Sequence, residues 1–450
     1  MSALGGVEPV VAAGLGLLEG ATGSGGGDDG SREPGAARLS TFASLRYPGA
    51  GRYFTGLTLS MCGSWMQTIA QSWLVSKRLG GDGAALGVLS VFQFAPMLVL
   101  GAWAGAIADR IDKRRIMVVT QVLLGLSALA LGLLDVSGHI TMPLVLAFAL
   151  ISGIASAFDT PARRAMVGDL VPKHLIPNAM ALNTGVITSS RVFGMMLGGF
   201  VVKYAGTGWC FLINGISYGF MLVALSGLGL RAHASAPPKT DGGVMDAVRH
   251  VWQTPILRVA MIATSIVSVL TFNYAVTFTL MVKNVFRQDA DILGWLLAAS
   301  SVGSFAGSMI AARRREPTLE LLLASCLGMG LSCVGFGRSS GPIAAAVFSV
   351  PLGLFGGLVM TQLSGLLPKH SPSSMRGRVL ALQSVVFIGS TPIGSPIVGL
   401  VSEHSGARWG MYVGALGGLA GCVIGLVLRR PGFDSSSVAG LAQTGQVSEK

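Results

Sequence analysis

Gly105-Ala-Ile-Ala-Asp109-Arg110-Ile-Asp112-Lys113-Arg114-Arg115-Ile-Met117 separates two long apolar segments. Gly105 has no side chain, so two membrane helices can approach closely there. Asp109 stands at the end of the first helix, and Arg110, Lys113, Arg114 and Arg115 crowd the turn. Such a basic cluster marks a cytoplasmic loop. An acid beside a helix terminus can meet the positive end of a neighbouring helix or pair with a nearby Arg. That contact would latch one conformation and release another. Gly105, Asp109, Arg110 and Arg114 are therefore the candidate conformational latch, and an ordinary basic loop is the plainer alternative.

The rest of the chain has the composition of a membrane protein. Of 450 residues, 51% are hydrophobic and 12% charged, where a soluble protein carries roughly 25% charge. Mean hydropathy is +0.65. The net charge of +12 does not point to nucleic acid, because the basic residues recur in short loops between apolar spans, as membrane orientation requires. The partner implied is the lipid bilayer. Cys62, Cys210, Cys326, Cys333 and Cys422 all fall in apolar spans and lack C-x-x-C spacing. They read as small apolar residues, not as a disulfide or metal set.

Residues 1–50, rich in Gly, Ala and Ser, read as a disordered tail. No Lys or Arg precedes the weakly apolar Val7–Leu18 stretch, so no cleaved signal is expected. Spans are predicted at about 53–76, 84–107, 115–135, 141–158, 181–203 and 208–230, forming a first half over 51–230. The fourth is read as ending at Phe158-Asp159-Thr-Pro161. A polar stretch, 231–254, with Pro237-Pro238, is read as a cytoplasmic linker. Six more spans follow at about 256–282, 292–312, 318–337, 342–367, 379–402 and 409–428, making a second half over 255–430 and leaving a tail at 431–450. With both termini inside, 24 Lys and Arg lie on the cytoplasmic side and 7 outside, Arg191 completing the 32. That bias supports the orientation.

The halves repeat. At a fixed offset of 200, Asn183, Gly194, Gly199, Gly206 and Trp209 correspond to Gln383, Gly394, Gly399, Gly406 and Trp409. Pro172-Lys-His174 is echoed by Pro368-Lys-His370. Repeated halves are the mark of transporters that hold substrate between them near the midplane.

Residues from about 52 to 430 resemble a twelve-helix major facilitator protein of the transmembrane secretion effector type, the branch that includes enterobactin exporters. The opening stretch resembles motif A, Gly-x-Leu-Ala-Asp-Arg-x-Gly-Arg-Lys, with Ile107 for Leu and Asp112 for the second Gly. Gly63-Ser-Trp-Met-Gln67, Ala157-Phe-Asp-Thr-Pro-Ala-Arg163 and Asn178-Ala-Met-Ala-Leu-Asn183 carry the likeness to that branch. The resemblance implies two six-helix bundles, rocker-switch alternating access, and export driven by protons. An Arg before the fifth-helix glycines, here Arg191, is usual in the branch. Two departures stand out. The antiporter motif reads Gly194-Met-Met-Leu-Gly198-Gly199 without its Pro, and the fourth helix, Ala149-Leu-Ile-Ser-Gly153, lacks the Arg of many drug–proton antiporters.

No Gly-Lys dipeptide occurs, so no P-loop exists and ATP is not the direct drive. Gly215-Ile-Ser217-Tyr-Gly219 spells a hydrolase elbow but lies in an apolar helix with no strand before it. Neither an enzyme nor a cofactor is expected. No carboxylate is placed at a helix centre, so for proton coupling Asp109, Asp159 or Glu403 must serve, or the substrate must carry the proton. Asp159 and Arg163 pair only if the helix continues past Pro161, and a structural cap is the alternative. The polar candidates for the cavity are Gln67, Gln71, Gln93, Arg191, Asn273, Tyr274 and Gln383, with Trp65, Phe94, Met97 and Phe387 as apolar ones. For Gln67 and Gln71 interhelical hydrogen bonding is an equal reading, and for Arg191 an interhelical clamp. A mainly apolar pocket with few anchors suits an amphiphilic organic molecule.

The expectation is a monomeric secondary transporter in the bacterial inner membrane, exporting a hydrophobic or amphiphilic small molecule such as a drug or siderophore. The alternatives are a nutrient or lysolipid importer of the same fold, and a non-transporting membrane scaffold or sensor.

Overall fold

The computed structural model describes residues 43–47, 49–228, 244–314, 316–373 and 375–428, without the side chains of 102, 106, 108–110 and 173. Residues 1–42 and 431–450 of the expected tails lie outside them, as do 231–243 of the linker and the adjoining 229–230 and 429–430. The last part of the amino-terminal tail is structured: Ala43–Arg46 forms a short 3-10 helix, and Asn178 Oδ1 accepts from the Ser44 amide at 3.1 Å.

The chain is a bundle of membrane-length helices. The first six are α1 (Ala50–Trp73, running on as a π-helical turn Leu74–Arg78), α2 (Gly83–Arg110), α3 (Lys113–Val136), α4 (Met142–Asp169), α5 (Ile176–Tyr204) and α6 (Thr207–Ser226). A short helix α7 (Val244–Gln253) occupies the end of the linker. The second set is α8 (Pro255–Leu270) with α9 (Tyr274–Leu280, then a π turn Met281–Phe286), α10 (Ala290–Arg313), α11 (Leu319–Arg338), α12 (Pro342–Lys369), α13 (Arg376–Ser405) and α14 (Ala407–Leu428). With α8 and α9 taken as one span, twelve cross the bundle among the described residues.

Eleven of the twelve are long and apolar enough to cross a membrane by composition alone. The exception is α1, whose Arg52, Gln67, Gln71 and several Ser and Thr lower its hydropathy. Those residues are tolerated because α1 packs against α5 and α6 rather than lying free in lipid. Large apolar side chains such as Leu126, Val223, Leu331 and Ile343 remain exposed on the outer helix faces, where lipid replaces water as the solvent.

Two boundaries depart from expectation. The fourth span does not stop at Pro161; α4 continues to Asp169 with the proline inside. Neighbouring helices in a membrane bundle satisfy the backbone groups that a proline frees. Asp159 is thereby ten residues inside the helix end, not at it. The seventh span, predicted as continuous, breaks at Thr271–Asn273. Asn273 ties the break to α8 and α13, its Nδ2 donating to Val269 O at 2.7 Å and its Oδ1 accepting from Ser395 Oγ at 2.9 Å.

The repeat at offset 200 is structural. Gly206 and Gly406 have φ of +95° and +99° and precede α6 and α14, a conformation that glycine adopts without Cβ strain. Gly194 packs on the α1 backbone at Cys62, and Gly394 on the α8 backbone at Val269. Gly199 meets Ala290 of α10, while Gly399 meets Gly83 of α2. Helices α5 and α13 thus each join their own half and then cross to the other.

Candidate substrate cavity

Between the halves the contact runs mainly through two helix pairs, α2 with α13 and α5 with α10. Their first-turn ends, near residues 79–82 and 287–289, are closed. A Cβ on Gly83 would stand 2.1 Å from Gly399 O, and one on Gly294 2.6 Å from Met195 O. Polar contacts reinforce the closure. Lys203 Nζ lies 2.7 Å from Asp291 Oδ2, the Ala84 amide donates to Glu403 Oε2 at 3.0 Å, and Lys283 Nζ donates to the Ser76 and Gly81 carbonyls. A groove of about 560 Å³ lies at this end, with Asp82, Glu403, Arg408 and Trp409 in its wall. It holds Glu403, a proton-coupling candidate, and none of the predicted cavity residues.

The opposite, basic end is different. A Cβ on Gly105, Gly185 or Gly377 would meet nothing within 4 Å. Among the described residues, then, no neighbouring helix comes within 4 Å of the Cβ position at Gly105. The side chains of Asp109 and Arg110 lie outside the described residues. Arg114 donates through Nη2 to Ser226 O at the end of α6 (3.0 Å). Lys113 pairs with Asp169 at 2.8 Å. Asp112, which breaks the motif's spelling, caps α3 by accepting from the Arg114 amide at 2.9 Å. Its carboxylate does there what an N-cap acid does in general.

The predicted polar residues divide into three groups. Gln67, Asn273 and Gln383 are engaged within their own halves: Gln67 Oε1 accepts from Asn214 Nδ2 at 2.6 Å, and Gln383 Nε2 donates to Ser364 Oγ at 2.9 Å. Gln71 is buried with its Nε2 unpartnered, and Gln93, partly exposed, makes no hydrogen bond among the described residues. Arg191 and Tyr274, from opposite halves, lie within electrostatic reach of each other. Arg191 lies near the midpoint of the 29-residue α5, and its guanidinium sits over the Trp65 ring at 5.9 Å.

Asp159 is the surprise. It is 4% exposed and linked to three elements. Oδ1 accepts from Thr120 Oγ1 at 3.0 Å and Gln121 Nε2 at 2.9 Å, both on α3. Oδ2 lies 3.6 Å from Arg163 Nη1, one turn along α4. Arg163 also reaches α1, donating to Met61 Sδ at 3.2 Å. The i,i+4 pairing therefore forms across Pro161. Sequence reading missed Gln121 and Asn214, although in-span amides carry the same signal that singled out Gln67.

The sequence profile of the transmembrane secretion effector family matches residues 39–448. The chain belongs to this major facilitator family. The transporter is 23% identical over 369 residues to the staphyloferrin A transporter of Staphylococcus aureus, covering 79% of this chain and 89% of that one. It is equally 23% identical, over 372 residues, to the multidrug efflux pump Tap of Mycolicibacterium fortuitum, covering 78% and 88%. In fold the transporter is similar to a bacterial homologue of the human lysosomal transporter Spinster in an inward-facing, unoccupied conformation, with TM-score 0.69 and 14% identity over 85% of this chain and 97% of that one. A D-xylose–proton symporter has TM-score 0.66 at 14% identity, over 84% and 97%.

Proposed function

We propose that this transporter exports a hydrophobic or amphiphilic small molecule, a drug or siderophore, by alternating access, using the proton gradient. The observation that carries the reading is the asymmetry between the two ends: glycine-on-glycine closure at one end of α2, α5, α10 and α13, and open space at the other. A site between the halves is then reached from one side at a time. With both termini cytoplasmic, as the charge bias supports, the open end faces the cytoplasm of a bacterial cell, where an exporter loads. Relatives named as a multidrug efflux pump and a siderophore transporter agree with such a substrate.

For proton coupling, Asp159 fits best of the three acids. Glu403 is engaged in closing the outer end. Asp159 is buried in the half that carries Arg191, beside a cation that would stay unpaired on protonation. The latch at Gly105, Asp109, Arg110 and Arg114 would act at the open end, closing when the halves rock. The test is uptake into everted membrane vesicles with a panel of fluorescent amphiphiles. Export predicts accumulation on energisation that collapses when the pH gradient is discharged. Accumulation only in right-side-out vesicles would turn the reading to import.

A further inference from the structure

Three donor groups near the midplane are shut away from solvent without an acceptor: Arg191 Nε, Trp65 Nε1 and the Tyr274 hydroxyl. Arg191 and Trp65 are neighbours. The guanidinium lies over the Trp65 ring and within electrostatic reach of Tyr274, which comes from the other half. No carboxylate among the described residues pairs with Arg191; the five ion pairs all lie elsewhere. Nor does it donate to a backbone carbonyl there, as an interhelical clamp would. A charge at mid-bilayer depth is costly without a counter-charge, and a buried donor without a partner adds to that.

We propose that Arg191, Trp65 and Tyr274 bind an anionic group of the substrate, an organic oxyanion such as a carboxylate carried on an apolar or aromatic body. The proposal rests on the transport reading above and narrows its substrate class. An oxyanion supplies the lone pairs that three donors need and the charge that Arg191 lacks. A cation is repelled by the same set, and a neutral amide leaves the guanidinium uncompensated. The body of the ligand meets rings: Phe272 lies 5.8 Å from Tyr274 and 5.3 Å from Phe387. Because Tyr274 stands at the break between α8 and α9 while Arg191 and Trp65 belong to the other half, the anion bridges the halves.

The test uses purified full-length transporter in an uncharged detergent, with thermal unfolding as the readout. The probes are 1-pyrenebutyrate and its primary amide, which differ only in the anion. The acid should raise the unfolding midpoint at concentrations where the amide does not. Arg191→Gln should abolish that preference, and Arg191→Lys should keep part of it, which guards against a Gln variant that fails to fold. Tyr274→Phe keeps the ring contacts and should weaken the acid about tenfold or more, as loss of a hydrogen bond to a charged group does, leaving the amide unchanged. Equal stabilisation by acid and amide, no stabilisation by either, or an undiminished preference in Arg191→Gln would overturn the proposal. Inorganic phosphate and phosphatidylglycerol are run alone; if either reproduces the effect, the site takes a free oxyanion or a lipid headgroup, and the substrate assignment fails. Binding here is independent of transport. A protein that prefers the acid but moves nothing in vesicles loses the export reading and keeps this one. A protein that exports neutral toxins, with acid and neutral cargo equally hit by Arg191→Gln, does the reverse.

Discussion

Gly83 and Gly399 pack backbone against backbone at the closed end, with each glycine's missing Cβ position 2.1–2.2 Å from the other's carbonyl oxygen. No side chain fits between them, so closure of this end depends on both residues being glycine. Gly399→Val should therefore hold α2 and α13 apart. Spin labels on Cys replacing Asp82 and Ser405 should report a longer mean distance in the variant than in the parent, with transport reduced at least tenfold. An unchanged distance distribution would show that the closure tolerates a side chain.

Asp159→Asn keeps an oxygen for Thr120 and Gln121 but removes the charge facing Arg163. Folding should survive. In proteoliposomes, accumulation driven by an imposed pH gradient should be lost, while exchange of labelled for unlabelled substrate continues. Intact gradient-driven accumulation would exclude Asp159 as the coupling group.

Asp109→Asn should impair transport with normal membrane insertion, since the latch needs the acid's charge and the span does not. The comparison is of transport rates at matched protein level in proteoliposomes. Parental rates in the variant would remove Asp109 from the latch.

Orientation is tested by a membrane-impermeant thiol reagent on intact cells. Cys at Gly138, in the turn between α3 and α4, should be labelled, and Cys at Lys239 should not. The reverse pattern would invert the assignment of ends and, with it, the direction in which the open end faces.

Small residues hold the second half together as well. A Cβ on Gly353 would stand 1.8 Å from Ser300 O, where α12 crosses α10, whereas one on Gly219 meets open space. Overpacking of this kind costs about 1–3 kcal/mol. Gly353→Ala should shorten the half-life of the protein in detergent at elevated temperature, and Gly219→Ala should leave it unchanged.

Much of this architecture was legible. The basic turn at 110–115 and the offset of 200 are local or periodic signals, and both reappear as helix ends and as matched glycine contacts. What stayed hidden depended on tertiary context. Pro161 reads as a helix stop because its ring disfavours helical geometry before it, yet packing carries α4 through, and so Asp159 looked terminal. The break at Thr271–Asn273 contains neither Pro nor Gly and announces itself by no composition. Lys203 and Asp291 are 88 residues apart, and only the crossing of α5 with α10 brings them together. Gln67 and Asn273 bond to other helices of their own half, and a lone polar residue in the sequence does not say whether its partner is a ligand or another helix.

The polarity of α1 bears on how the protein is made. A segment enters the bilayer from the insertion machinery according to its own apolarity, and α1 alone falls short of the hydropathy that the other eleven spans reach. Among the described residues its Gln67 Oε1 accepts a hydrogen bond only from Asn214 of α6, and its glycine at 63 nests against Asn214 and Ser217 of the same helix. That helix leaves the ribosome after α2 to α5 have already been synthesised. The first of these twelve spans is thus among the last to be secured, and the newborn chain must shelter it until α6 arrives.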